Sequence, residues 1–436
     1  MPSVTPSVPP TDHPRSARTT PGVDTASRSR ATPRGGRALP PLLIVLVVAS
    51  LAIMLRPAAA AVGPLLEPLT TSLGASDLSA GALTALPCLV FGLAGLTAVP
   101  LARRTGLTGA LVLAMLLLVV AGSVRTRVGD MGLFLPLSAL ALAGPALGNV
   151  VLPAWIKVHG GRHRVALMTL YSSVLSAGAF LASLLAVPLA PDTPEGWRLS
   201  LLWWVLPAVV PMLLAVVVLR RAGHDFPPAE PRAVGRTDGR RTLLRAPTAV
   251  ALTALFALQS GNAYTQFGWL PRLYADAGIG PAASGALLAV VAGLGIVGGL
   301  VMPVVIDRSR HLRALCGLFG LLTAGGYVGL LLAPHAGALL WAVMLGLGGF
   351  TFPTVLALIP ARSRSAEITA RLSGMVQPLG YIVAALMPLG AGAVLAATGS
   401  TTLVLGLLAG SGLLLGLVGL RAAAPVVVDD ELAQAR

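Results

Sequence analysis

The stretch PPLLIVLVVASLAIMLRPAAAAVGPLLEPLTTS, residues 40–72, decides how the rest of the chain is read. It is apolar almost throughout and longer than the ~20 residues a helix needs to cross a bilayer. One arginine, Arg56, interrupts it and is followed at once by Pro57. An arginine at bilayer depth is costly and normally faces a water-filled cavity or a partner group. Two readings are open. In one, the span ends at residue 55, since ~18 uncharged residues just suffice, and the guanidinium snorkels to the outer interface. In the other, the helix is kinked or broken at Arg56-Pro57 and again at Gly63-Pro64, with Arg56 at mid-depth. The apolar character of residues 57–66 favours the second.

Outward from this stretch the same pattern recurs. Of 436 residues, 55% are hydrophobic and 11% charged, whereas a soluble domain carries about 25% charged residues. Runs of about 20 apolar residues alternate with short polar breaks, the mark of spanning helices rather than of barrel strands. Twelve spans are expected, near 40–71, 77–100, 107–124, 131–156, 164–190, 198–220, 247–275, 281–306, 312–333, 337–360, 367–397 and 401–421. This is an all-α membrane protein of twelve transmembrane helices in two pseudo-symmetric six-helix bundles, 40–220 and 247–421. A Pro/Ser/Thr/Arg-rich N-terminal tail, 1–39, is expected to be disordered. A basic linker, 221–246, joins the bundles, and a tail, 422–436, follows.

Charge sets the orientation. Of 31 basic residues, only Arg125, Arg127, Arg198 and Arg272 fall in outer loops and Arg56 within a span. The rest lie on one side, which places both termini in the cytoplasm. The net charge of +15 therefore reports topology in an inner membrane, and no nucleic-acid partner is expected. The halves also resemble each other. Gly81-Ala82-Leu83 matches Gly285-Ala286-Leu287, Gly95-Leu96 matches Gly299-Leu300, and Leu147-Gly148 with Pro153 matches Leu347-Gly348 with Pro353. Such ordered matches mark a duplicated half. The offset of 204 between Gly81 and Gly285 puts Arg56 opposite Ser260, inside the polar run Gln259-Ser260-Gly261-Asn262.

Broken helices near the midplane are where membrane transporters place binding sites. The planar donor fork of Arg56 suits a carboxylate or another small anion. Gln259, Asn262 and Gln266, at i, i+3 and i+7, share a helix face, with Tyr264 and Trp269 nearby; interhelical hydrogen bonding is the other reading of these amides. Asn149, Tyr171 with Ser172 and Ser176, and Gln377 with Tyr381 supply further polar groups within spans. Carboxylates are nearly absent from the spans, and Glu67 falls near an interface. No phosphate-binding loop, metal-ligand spacing or catalytic constellation is present, so no enzyme activity and no cofactor are expected. His159 and His163 read as solvated loop residues, and Cys88 and Cys316 as small core residues.

These features resemble the major facilitator superfamily and, within it, the cyanate/nitroimidazole transporter group. The resemblance rests on Leu55-Arg56-Pro57 with Val62-Gly63-Pro64-Leu65-Leu66, on residues 81–87 (GALTALP), and on residues 147–153 (LGNVVLP) with Ile156-Lys157. Gly196-Trp197-Arg198, Leu372-Ser373-Gly374-Met375 and Gly380-Tyr381 add to it. It implies transport of a small anionic or nitro-bearing solute by alternating access. A secondary active transporter acting as a monomer is expected, with a proton as candidate coupling ion. The substrate-binding set expected is Arg56, Asn149, Tyr171, Gln259, Asn262, Gln377 and Tyr381. The inner-loop motif of the superfamily survives as Asp307-Arg308, whereas Arg103-Arg104 in the first half lacks its aspartate. An exporter of amphiphilic drugs is the alternative within the class, and a non-transporting receptor or scaffold the alternative outside it.

Overall fold

A computed structural model describes residues 39–226, 243–309 and 311–434; the N-terminal tail expected to be disordered lies outside these residues, as does most of the linker. The apolar runs become helices because a lipid-embedded backbone must satisfy its own hydrogen bonds. The twelve long helices are α1 (Pro41–Ser72), α2 (Asp77–Thr105), α3 (Leu107–Arg125), α4 (Met131–His159), α5 (Arg164–Leu185), α6 (Gly196–Ala222), α7 (Pro247–Asp276), α8 (Pro281–Arg308), α9 (Leu312–Leu332), α10 (Ala338–Ala361), α11 (366–398) and α12 (Thr401–Ala422). All but α7 are long and apolar enough to span a membrane by hydropathy. Side-chain oxygens cap several starts: Ser76 accepts from the Ser79 amide, Asp130 from Leu133, Ser365 from Ile368 and Ser400 from Leu403.

The outer surface is oily. Val165, Leu332, Leu386 and Leu417 are each more than 60% exposed, which suits contact with lipid rather than water. Small residues let helices meet closely, as is usual between helices in lipid. Gly320 of α9 rests on Gly416 and Gly412 of α12, and Gly144 of α4 rests on the Ala114 carbonyl of α3.

The first and last six helices meet along two seams. In one, Gly81 of α2 abuts Gly392 of α11, and further along Gly92 and Gly95 meet Ile382 and Pro378. In the other, Gly285 of α8 faces the Ser183 carbonyl of α5, and Gly293 faces the Phe180 ring. Both seams are tight at the face away from the termini, called here the far face. There the Arg272–Asp77 ion pair joins α7 to α2, and Gly63 of α1 presses on the Phe267 carbonyl. Towards the terminal face α5 is exposed nearly all round between residues 164 and 169.

The C-terminal segment is more than a tail. Val428–Gln434 forms a short helix, α13. Its Glu431 accepts from the Thr248 amide at the start of α7 at 2.9 Å and pairs with Arg421 at 3.0 Å. Asp430 takes two hydrogen bonds from Arg364, at 2.6 and 2.8 Å.

Candidate functional site

The site begins at the break in α1. Its first segment stops at Met54, and a second starts at Pro57 with Arg56 as its N-cap. Proline has no N–H, so the Ile53 carbonyl lacks its helical donor. Gly178 of α5 lies so close to that carbonyl that a Cβ would overlap it. Gly148 of α4 likewise lies against Leu55. The two glycines hold the broken turn and so aim Arg56 inward; the span continues to Ser72, with a further 3-10 turn at Gly63–Leu65.

Arg56 Nη1 donates to the Tyr264 hydroxyl at 2.9 Å, and its guanidinium carbon is 5.7 Å from the Phe91 ring centroid. The rings of Phe91, Tyr264 and Tyr381 lie 5.7–6.3 Å apart by centroid and form an aromatic cluster beside the cation. Among the described residues, the ion pairs do not include Arg56. Among the described residues its partners are the neutral Tyr264 hydroxyl and the Phe91 ring face, which leave most of its five donors unused.

Arg56 opens onto a cavity of about 470 Å³ between the two bundles. Ser172, Ser173 and Ser176 of α5 line it together with Gln259, Ser260, Tyr264, Gln266 and Phe267 of α7. Val291, Ala292, Gly295, Ile296 and Gly299 of α8, Phe352 and Pro353 of α10, and Tyr381 of α11 add to the wall, which is mostly apolar. The Ser260 hydroxyl is buried without a protein partner. Among the described residues no Asp or Glu lines the cavity.

Arg56, Gln259 and Tyr381 of the expected set therefore converge on one wall, and the other four do not. Asn262 is 1% exposed and faces the opposite way. Its amide donates to Leu258 O and Ser411 Oγ, and its carbonyl oxygen accepts from Tyr327. At 100° per residue the cavity face of α7 centres on 260, 263, 264 and 267, so position 262 falls behind it. Gln266 shares this network, donating to Tyr327 at 3.0 Å. Asn149 spends its amide on Pro145 O and accepts from the Tyr171 hydroxyl at 3.1 Å, so this pair stands behind the wall. Gln377, one turn from Tyr381 towards the terminal face, donates to Ser373 at 2.8 Å.

Reading the sequence left out Tyr264 as a ligand of Arg56, although the repeat offset led to Ser260, one helical turn away. Arg125, read as an outer-loop residue, is 1% exposed at the end of α3. His159 is not a solvated loop residue either. It stacks on Trp155 at 4.4 Å and lies 3.5 Å from Asp225, which also caps α3 through the Thr108 amide. Its acidic neighbour comes from beyond α6, too far along the chain for local spacing to reveal. Glu67 is exposed, and both cysteines are buried and free. Arg103, Arg104 and Arg308 are exposed at helix ends, with Arg103 against the Phe226 ring; the Asp307 side chain lies outside what is described.

Comparison with known proteins fits this geometry. The Major Facilitator Superfamily model matches residues 42–388. The chain is 30% identical over 379 residues to the uncharacterized transporter YycB of Bacillus subtilis, covering 85% of this chain and 90% of the relative. It is 31% identical to the 2-nitroimidazole transporter of Escherichia coli over 349 residues, 80% of this chain and 86% of that one. It is 30% identical to the cyanate transport protein CynX of Escherichia coli over 351 residues, 80% and 88%. Among solved structures, a D-xylose-proton symporter superposes with a TM-score of 0.69 at 15% identity, covering 89% of this chain and 99% of that one. With its twelve helices, its paired bundles and these relatives, the chain belongs to the Major Facilitator Superfamily as a multi-pass membrane transporter of the cyanate/nitroimidazole group.

Proposed function

We propose that the protein moves a small anionic or nitro-bearing solute by alternating access, with Arg56 as the clamp. The observation that carries this reading is a half-buried guanidinium, open to the cavity between the two bundles, whose partners among the described residues are neutral. Such a group attracts negative charge or a nitro oxygen pair, and its fork accepts either in bidentate fashion. The relatives named for cyanate and 2-nitroimidazole transport support the same chemistry. The cavity, at about 470 Å³, falls within the range of drug-sized sites. Its apolar wall suits an organic body behind the polar group better than cyanate alone. Gln259, Ser260 and Tyr381 orient the solute, while Asn149, Tyr171 and Asn262 stiffen the helices behind them.

In this reading the bundles 40–220 and 247–421 rock as bodies. The basic terminal face lies in the cytoplasm, and the tight far face with the splayed terminal end of α5 represents the inward-facing state. The cavity is complete within one chain, so a monomer suffices. Uptake of [14C]cyanate and of 2-nitroimidazole into proteoliposomes tests the clamp: Arg56→Ala is expected to lose transport, and undiminished transport in both Arg56→Ala and Arg56→Lys would reject it. The aromatic and aliphatic wall also favours a second reading, export of amphiphilic compounds. Drug resistance that falls on deletion of the gene, with cyanate and nitroimidazole flux unchanged, would select it.

A further inference from the structure

A second arginine, this one fully buried, stands on the other side of Tyr264. Arg125 ends α3, is 1% exposed, and keeps Nε and Nη2 buried without any hydrogen-bond partner. Its one bond, from Nη1 to Ser138 Oγ, is long at 3.4 Å, and its guanidinium lies 5.8 Å from the Phe134 ring centroid. It pairs with no carboxylate among the described residues. Nor does it serve the carbonyls that follow α3, because Arg198 donates to Thr126 O and Val128 O at 2.9 and 2.7 Å. A buried cation with unused donors is costly, and such a group calls for a partner that comes and goes.

Arg125 faces a small void of about 10 Å³, room for about one water. Thr84 and Pro87 of α2 line it, as do Tyr264 and Gly268 of α7, so it too lies between the bundles. Tyr264 is shared by both cavities and separates Arg125 from Arg56. The void is held shut where Gly268 packs against the Thr84 side chain, a contact with no room for a Cβ. This contact belongs to the tight far end of the interface, so parting the bundles there would widen the void and uncover Arg125.

We propose that Arg125 is a second solute site, on the far-face side of Tyr264, where a small anion or nitro group docks before it passes to Arg56. The inference rests on the reading of Arg56 as the clamp. In proteoliposomes of known sidedness, Arg125→Gln is expected to raise the half-saturation concentration for [14C]cyanate or 2-nitroimidazole at the far face about tenfold more than at the terminal face. Arg125→Lys, which keeps the charge, is expected to stay close to the unmodified protein. Equal half-saturation shifts at the two faces in Arg125→Gln, with Arg56→Ala inactive, would overturn the second site alone. Full transport by Arg56→Ala would instead overturn the clamp.

A second measurement covers a failure of Arg125→Gln to fold. Leu142→Cys places a thiol in the wall of the void, in a background with Cys88→Ser and Cys316→Ser. Added at the far face, an anionic sulfonatoethyl methanethiosulfonate is expected to react about tenfold faster than its cationic trimethylammonioethyl counterpart, relative to a free thiol. Cyanate in excess is expected to slow the anionic reagent. Equal relative rates for the two reagents would overturn the proposal.

Discussion

Helices α1 and α7 occupy matching positions in the two halves, yet they solve opposite problems. α1 is strongly apolar, with a mean hydropathy of 2.4 over its most apolar part, but its backbone is broken where its one basic residue, Arg56, sits. α7 runs unbroken for 30 residues and is too polar to pass as a span by hydropathy, although it carries no charge between Pro247 and Pro271. One half supplies the cation at a broken turn, and the other supplies a rigid row of amides and hydroxyls that meets it. Up to Pro271, which frees the Phe267 carbonyl that Gly63 of α1 meets, α7 keeps its own peptide groups bonded, so its polar side chains are free for neighbours. The broken turn of α1 releases the Ile53 carbonyl, which Gly178 accommodates, while Gly148 makes room for the Leu55 side chain. The duplicated architecture thus persists while the chemistry has divided between the copies.

Substitutions on either helix can break this contrast. The largest effect is expected at α1, where Arg56→Ala should remove about 2–5 kcal/mol of solute binding. Arg56→Lys should recover part of it, because a point charge replaces the fork; transport kinetics and binding check both. On α7, Tyr264→Phe deletes the hydroxyl bonded to the guanidinium and should cost about 1.5–3 kcal/mol of affinity or stability. Gly178→Val forces a branched side chain onto the Ile53 carbonyl and should lower stability by about 1–3 kcal/mol, read as a drop in Tm in detergent.

Smaller effects sharpen the comparison. Asn262→Ala should cost about 0.6 kcal/mol of stability and leave the half-saturation concentration unchanged, since its bonds go to Leu258, Ser411 and Tyr327. A clear loss of affinity would show that the cavity face of α7 is drawn wrongly. Asp77→Asn removes one member of the partly exposed Arg272–Asp77 pair across the far face and should change stability by no more than about 1 kcal/mol. It should also increase thiol labelling at Leu142→Cys from that face.

Much of this was legible along the chain, for physical reasons. The spans follow from apolar run length, and Arg56-Pro57 announces a broken helix because proline and a buried charge both disrupt one. The repeat offset led within one turn of Tyr264. Azimuth was not legible in the same way: Gln259 and Asn262 are three residues apart, yet one faces the cavity and the other faces α9 and α12. Which side of α7 meets α1 is set by the packing of the other ten helices. The burial of Arg125 escaped for a related reason, because a charge at a helix end reads as a loop residue unless a neighbouring bundle covers it. The pairing of His159 with Asp225 joins residues far apart in sequence, beyond the reach of spacing.

Equilibrium binding is the direct test of the central claim. Purified protein titrated with cyanate, 2-nitroimidazole and a panel of small carboxylates should show saturable binding or thermal stabilisation by at least one of them. Arg56→Ala should lose that response while Asn262→Ala keeps it. Identical binding curves for the unmodified protein and Arg56→Ala would contradict the account, because the guanidinium between the bundles would then hold nothing.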